Sequence, residues 1–429
     1  MYQEHVLANE LRILMVPVHS FQSVSAGIFV RVGSRYEREA EAGVSHFIEH
    51  MLFKGTTRRP SSKLIAESIE GVGGLSNAYT SQETTVYYAK VAASQIDTAL
   101  DVLTDMVRHP LFDQTEFEKE RLVISEELDM IYDAPDNWAN VLLDQVLWPD
   151  HPLGQNIVGS QHSLSQLSHS ALLNYFKAAY HPHNVLVALG GAFDPAQAID
   201  TLSSLLGDWA AATPPVFVTA PAPQSEARWT VEDRPIEQGH LCLAVTGFSR
   251  HDPRRYALSV LNGVLGEGMS SRLFLTIREE LGLAYAVDSG LNMLQDTGSL
   301  LIYAGVDPDR ATEALQAILV ELERVRTELV PAAELHKVKE YLKGRLVLGL
   351  EDSFSQAAWV AYQALFQDEI KSPAQVLAAY DAVTAEDVLA VAQTVLTPTA
   401  YNLAAVGPFG DGEALGRLIG GQMVTVTAK

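Results

Sequence analysis

The sequence predicts an α+β protein made of two duplicated domains, each a largely antiparallel sheet packed against helices. Three observations point there. At 429 residues the chain exceeds what one hydrophobic core usually fills. Four prolines (Pro214, Pro215, Pro221, Pro223) crowd into ten residues. That composition suits an extended, semi-rigid linker over 214–224, dividing a domain at 1–213 from another at 225–429. Finally, Gly27–Leu52 aligns without gaps on His240–Leu265. Val44, Phe47, Ile48, Met51 and Leu52 fall on Ala257, Val260, Leu261, Val264 and Leu265, so each core-facing helical position stays apolar.

The elements follow in order. An apolar run makes Leu11–Val18 a strand, and Ile28–Val32 a second. Helical spacing over Val44–Leu52 predicts an amphipathic helix. Ser76–Val91 is β-rich, around Thr84-Thr85-Val86-Tyr87-Tyr88. Helices are expected near Gln95–Val107 and Gln114–Tyr132, then near Ser271–Leu281, Arg310–Leu329 and Glu334–Leu350. Strands mixed with blocks of helices favour α+β over a parallel α/β sheet.

Net charge is −23, from 53 acidic against 30 basic residues. Such a chain repels phosphate backbones, so nucleic acid is not an expected partner. Acidity first serves solubility; an acidic cavity favouring basic peptides is the sharper reading. No uninterrupted apolar run is long enough to cross a bilayer, and no membrane partner is expected. The N-terminal Met1-Tyr2-Gln3-Glu4-His5 lacks a basic, then apolar, leader, and the lone Cys242 fits a reducing compartment. A cytoplasmic location is the expectation.

The chemistry concentrates in His46-Phe47-Ile48-Glu49-His50. On a helix the two imidazoles stand one turn apart and can reach one ion, with Glu49 beside them. His46, Glu49 and His50 cluster opposite the apolar face. In the second half they fall on Ser259, Asn262 and Gly263, so that copy keeps the packing and lacks the metal residues. A zinc site needs a third protein ligand. In Gln114–Tyr132, Phe117, Ile124, Leu128 and Ile131 form the apolar stripe. Glu120 and Glu127 lie along its edge, and Glu126 points away. Glu127 is the ligand candidate and Glu120 a group that could orient a ligand. Phase alone equally fits two ordinary helix-flank glutamates.

The run from His46 through Met51-Leu52-Phe53-Lys54-Gly55-Thr56 resembles the pitrilysin-type, "inverted" zinc metallopeptidases. The resemblance continues through Asn77-Ala78-Tyr79-Thr80-Ser81, Glu120 to Glu127, His151-Pro152-Leu153-Gly154, Gly268 to Phe274 and Gly282-Leu283-Ala284-Tyr285. In that family about 76 residues intervene between the second histidine and the ligand glutamate, which here lands on Glu127. The resemblance implies one zinc ion per chain, with Glu49 as general base on the water that zinc activates. It implies an edge strand at Asn77, Ala78 and Thr80 that takes an unfolded peptide as an added strand. It also implies an Arg and a Tyr from the second domain, matching Arg278 and Tyr285, that hold the substrate carbonyl. Without the family both would read as structural. Short members pair two chains into a closed chamber, so a homodimer is expected. The expected activity is that of a zinc metalloendopeptidase. One rival is a non-catalytic or partner-dependent subunit of a peptidase complex. Such members usually lose the motif or the Arg/Tyr pair, and both stand here. A structural zinc site would prefer four protein ligands and cysteine.

Overall fold

The computed structural model describes residues 2–426. Its first sheet contains β1 (Gln3–Val6), β2 (Arg12–Pro17), β3 (Ser23–Val30), β4 (Leu75–Thr80), β5 (Thr85–Ala92) and β6 (Val185–Gly191). The second contains β7 (Arg228–Asp233), β8 (Gly239–Gly247), β9 (Ala284–Met293), β10 (Gly298–Val306), β11 (Asn402–Gly407) and β12 (Gln422–Met423). The strand orders are β1-β2-β6-β3-β5-β4 and β12-β7-β11-β8-β10-β9. Without the outermost β1 and β12 the two orders superpose. The parallel pair β2–β6 matches β7–β11, and the remaining shared pairs are antiparallel. Each sheet is therefore mixed.

The ungapped alignment holds in register. Gly27 and Val30 of β3 face Ala188 and Val185 of β6. Their counterparts His240 and Leu243 face Val406 and Leu403 of β11. Both aligned helices, Val44–Leu52 and Arg255–Leu265, stop at the matched leucines and bury the matched apolar positions. The other predicted helices stand at Ile96–Arg108, Gln114–Asp133, Ala311–Thr327 and Ala332–Gly349. Residues 209–224 contain neither helix nor strand.

Two features depart from the sequence expectation. Ser271–Leu281 was expected to be an α-helix, yet Phe274–Glu280 winds as a π-helix, the Leu281 N–H bonding the Thr276 carbonyl five residues back. The second departure concerns packing across the linker. Each sheet has two apolar faces, and each half lends a helix to the other's second face. Trp138, Ala139, Leu142, Leu143 and Leu147 of the helix Pro135–Leu147 pack on Cys242, Ala244, Ala404 and Val406. Reciprocally, Ala357, Val360 and Ala361 of the helix Ser353–Phe366 cover Leu14, Val16, Phe29, Val86, Leu186 and Ala188. Gly190 lets that helix approach, since a Cβ there would meet the Ser353 carbonyl oxygen at 2.2 Å. A polar joint adds to this. The fully buried Arg35 guanidinium reaches Glu83 at 2.8 Å, Asp296 at 2.5 Å and the Val218 carbonyl at 3.2 Å. Arg250 meets the other oxygen of Glu83 at 2.8 Å. First half, linker and second half thus share one network. Among the described residues no helix is long and apolar enough to cross a membrane.

Candidate active site

The helix Val44–Leu52 begins at Gly43, whose φ of +92° suits glycine and which offers no side chain to cap the helix. Glu37 caps it from outside. Its two carboxylate oxygens accept the N–H groups of Gly43 at 2.7 Å and Ser45 at 2.8 Å. Burial pushes the Glu37 carboxyl up to about 7, against those hydrogen bonds. The far face of the helix is core, with Phe47 stacked on Phe117 of the helix Gln114–Asp133 at 4.7 Å between centroids. That stack sets the two helices side by side, and their polar edges meet.

His46 and His50 lie one turn apart with ring centroids 4.5 Å from each other. Glu127 faces both: one carboxylate oxygen is 3.6 Å from His46 Nε2 and the other 3.6 Å from His50 Nε2. One ligand atom from each of the three residues lies within 4.8 Å of the others. A tetrahedral ion with arms of about 2.0–2.2 Å spaces its ligands by roughly 3.4 Å, so this donor set fits zinc in chemistry and in size. Burial, then the neighbouring His50, pushes His46 down to about 3, leaving the ring neutral as a metal ligand requires. His46 Nδ1 is enclosed without a hydrogen-bond partner. Behind the cluster, the Glu120 carboxylate bonds His50 Nδ1 at 2.8 Å and Lys54 Nζ at 2.5 Å. Burial would raise the Glu120 carboxyl, but the His50 and Lys54 bonds outweigh it and hold the group low, hence ionised. Glu126 is exposed on the outer side of its helix.

Glu49 is half-buried, and the Thr80 hydroxyl donates to its Oε2 at 2.5 Å. Burial raises the Glu49 carboxyl against that bond and the nearby His50. Thr80 ends β4, one of the two edge strands of the first sheet. Ser81 N–H bonds the Thr84 carbonyl, which sets the alternation of the β4–β5 ladder. By that alternation Asn77 and Tyr79 pair with β5, while the backbone groups of Ser76, Ala78 and Thr80 face outward. Ala78 N–H is met by Asn77 Oδ1 at 2.9 Å. Arg278 lies on the π-helical turn, and Tyr285 near the start of β9 is 79% exposed. The Arg278 guanidinium sits 5.8 Å from the Tyr285 ring centroid. The two residues are thus a pair. Among the described residues no hydrogen bond or ion pair joins them to the His46–His50–Glu127 cluster.

Three contacts were not anticipated from the sequence. Glu37 lies ahead of its helix, beyond the 3-10 turn Glu39–Glu41, so only an acidic residue ahead of a helix start hinted at it. Lys54 stands four residues after His50, a spacing that could have signalled a shared face. Thr80 was singled out for its backbone, and its hydroxyl went unread.

Comparison with known proteins identifies the family and the fold. The family model described as insulinase (peptidase family M16) matches residues 12–161, and that of the peptidase M16 inactive domain matches residues 166–342. The chain belongs to the insulinase, or M16, peptidase family. The "Uncharacterized zinc protease YmxG" of Bacillus subtilis is 34% identical over 96% of this chain and 99% of its own length. An "Uncharacterized zinc protease" of Streptomyces coelicolor is 35% identical over 95% of this chain and 90% of its own. A protease from Helicobacter pylori shares the fold at a TM-score of 0.90 and 23% identity, covering 95% of this chain and 99% of that one. A peptidase M16 inactive domain from Pseudomonas fluorescens does so at 0.87 and 20%, covering 95% and 98%.

Proposed function

We propose that this chain is a zinc-dependent endopeptidase that cleaves unfolded peptides inside a chamber closed by a second copy of itself. The observation that carries it is the meeting of two imidazoles and one carboxylate around a point, with a second carboxylate, Glu49, held beside them. Three protein ligands leave a zinc ion an open position, as catalytic sites do. The zinc-protease names of the relatives support the choice of metal. His46, His50 and Glu127 would hold zinc, which when bound supplies Lewis acidity toward a water and the scissile carbonyl. Glu120 orients His50 through Nδ1. Glu49 takes the proton of the attacking water and delivers it to the leaving amide nitrogen. The outward backbone groups of Ala78 and Thr80 pair with the peptide, Asn77 Oδ1 giving way as it docks. Recognition through backbone favours extended, unfolded chains. Arg278 and Tyr285 are assigned to the substrate carbonyl.

Metal analysis beside a peptide-cleavage assay tests this. Glu49→Gln is expected to keep near-stoichiometric zinc and lose turnover by about 10²-fold or more. Glu127→Gln is expected to lose both, and Glu126→Gln little of either. Zinc stripped by Glu126→Gln and retained by Glu127→Gln would refute the ligand set. Light scattering on the same samples is expected at twice the 46.8 kDa of one chain. A mass near one chain at assay concentration would remove the two-chain chamber. If the net charge of −23 lines that chamber, basic peptides are cleaved faster than acidic ones of equal length at low salt. Equal rates would assign the charge to the outer surface.

A further inference from the structure

Thr80 occupies two settings at once. Its backbone N–H and C=O lie on the open edge of β4, where an added strand would pair. Its side chain turns inward to the helix Val44–Leu52 and donates to Glu49 Oε2 at 2.5 Å. The surroundings behind that hydroxyl are fixed. Thr85 Oγ1 lies 3.4 Å away and itself donates to the Val32 carbonyl at 3.0 Å. Further in, the hydroxyls of Tyr87 and Tyr180 pair at 2.7 Å. Thr85, Tyr87 and Tyr180 are all buried. Glu49 has three side-chain torsions and, among the described residues, this one side-chain hydrogen bond to restrain them. With Oε2 held, Oε1 is left for the reacting water.

We infer that Thr80 is a positioning residue for Glu49, linking the seating of a peptide strand on β4 to the orientation of the carboxylate that moves the proton. This rests on the reading of Glu49 as general base. A side chain that merely closed the β4–β5 hairpin would show its loss in folding. A positioning residue shows it in the chemical step, because misorienting a general base costs turnover and leaves ground-state binding in place.

The test compares Thr80→Val, which keeps the shape and removes the hydroxyl, with Thr80→Ser, which restores it. For zinc-loaded full-length protein, Thr80→Val is expected to lower kcat about tenfold or more and to move KM less than about twofold. Zinc stoichiometry and melting temperature are expected to stay at wild-type values. Thr80→Ser is expected to recover to within about threefold of wild type. A crystal structure of zinc-loaded Thr80→Val gives a readout independent of turnover, and the Glu49 carboxylate is expected to leave its wild-type position. The inference is overturned if Thr80→Val turns over like wild type, if Thr80→Ser is as impaired as Thr80→Val, or if Glu49 has not moved. Glu49→Gln runs in the same assay. Full cleavage by that variant would strike the general-base reading, and the crystallographic comparison would still decide whether Thr80 places Glu49.

Discussion

Glu37 shows how one buried side chain ties the helix carrying His46 and His50 to solution pH. The group is harder to ionise folded, at about 7, than at its ordinary value of 4.5. The stability it lends is therefore full below about pH 4.5 and is lost as pH rises through about 7. At about 1.4 kcal/mol per unit, the loss across that window is of order 3 kcal/mol. Glu37→Gln removes the titration. Denaturant titrations of both proteins between pH 4.5 and 7.5 are therefore expected to show wild type losing stability relative to the variant. A pH-independent difference would show that Glu37 does not titrate in this range. The neighbouring residues were unequally legible. His46, His50 and Glu49 are announced by spacing, because one helical turn brings i and i+4 together. Glu127 needed the phase of a second helix together with the spacing of the family it resembles, since phase alone fits an ordinary flank glutamate equally well. Thr80 and Glu49 meet only after a strand and a helix have packed, and no local pattern encodes that.

At the scale of elements, the packing of the second copy of the motif helix accounts for residues that are not metal ligands at the matched positions. The position matching His50 is Gly263, where a Cβ would meet Val338 Cγ1 at 2.6 Å. The helix Ala332–Gly349 thus occupies the space an imidazole would need. The position matching Glu49 is Asn262, whose Oδ1 accepts from the Ser289 hydroxyl at 2.7 Å, a purely structural bond. Two glycines of this region are expected to respond in opposite senses. Gly263→Ala overpacks a buried contact and is expected to cost about 1–2 kcal/mol. Gly344→Ala sits inside the helix Ala332–Gly349 with nothing within 4 Å of its Cβ, and is expected to add about 0.5–1 kcal/mol. Urea midpoints of the two variants check this, and equal shifts would contradict the packing described. The duplication was legible because apolar periodicity survives where chemistry is lost. The π-helical turn at Phe274–Glu280 was not, since its apolar spacing also satisfies an α-helix.

At the scale of the whole molecule, the linker joins halves that are not separable units. The sequence marks 214–224 as a boundary by composition, which reports chain stiffness and carries no information on what packs across it. The helices Pro135–Leu147 and Ser353–Phe366 each complete the opposite sheet. A protease site placed in 209–224 is therefore expected to be cut without the pieces parting. The nicked protein should elute from a sizing column with the intact one, and the halves expressed alone should be insoluble. A soluble, folded N-terminal half would show that its sheet does not need the borrowed helix.

That borrowed cover also sets an order of events during synthesis. The first sheet is complete in sequence once β6 has left the ribosome, yet the helix that seals its second face begins at Ser353. Roughly 160 residues must still be translated, which at about 5–20 residues per second takes some 8–30 s. For that interval Leu14, Phe29, Val86 and Leu186 face water or a chaperone. A nascent chain stalled after β6 should then be held by a chaperone that one stalled beyond Phe366 releases.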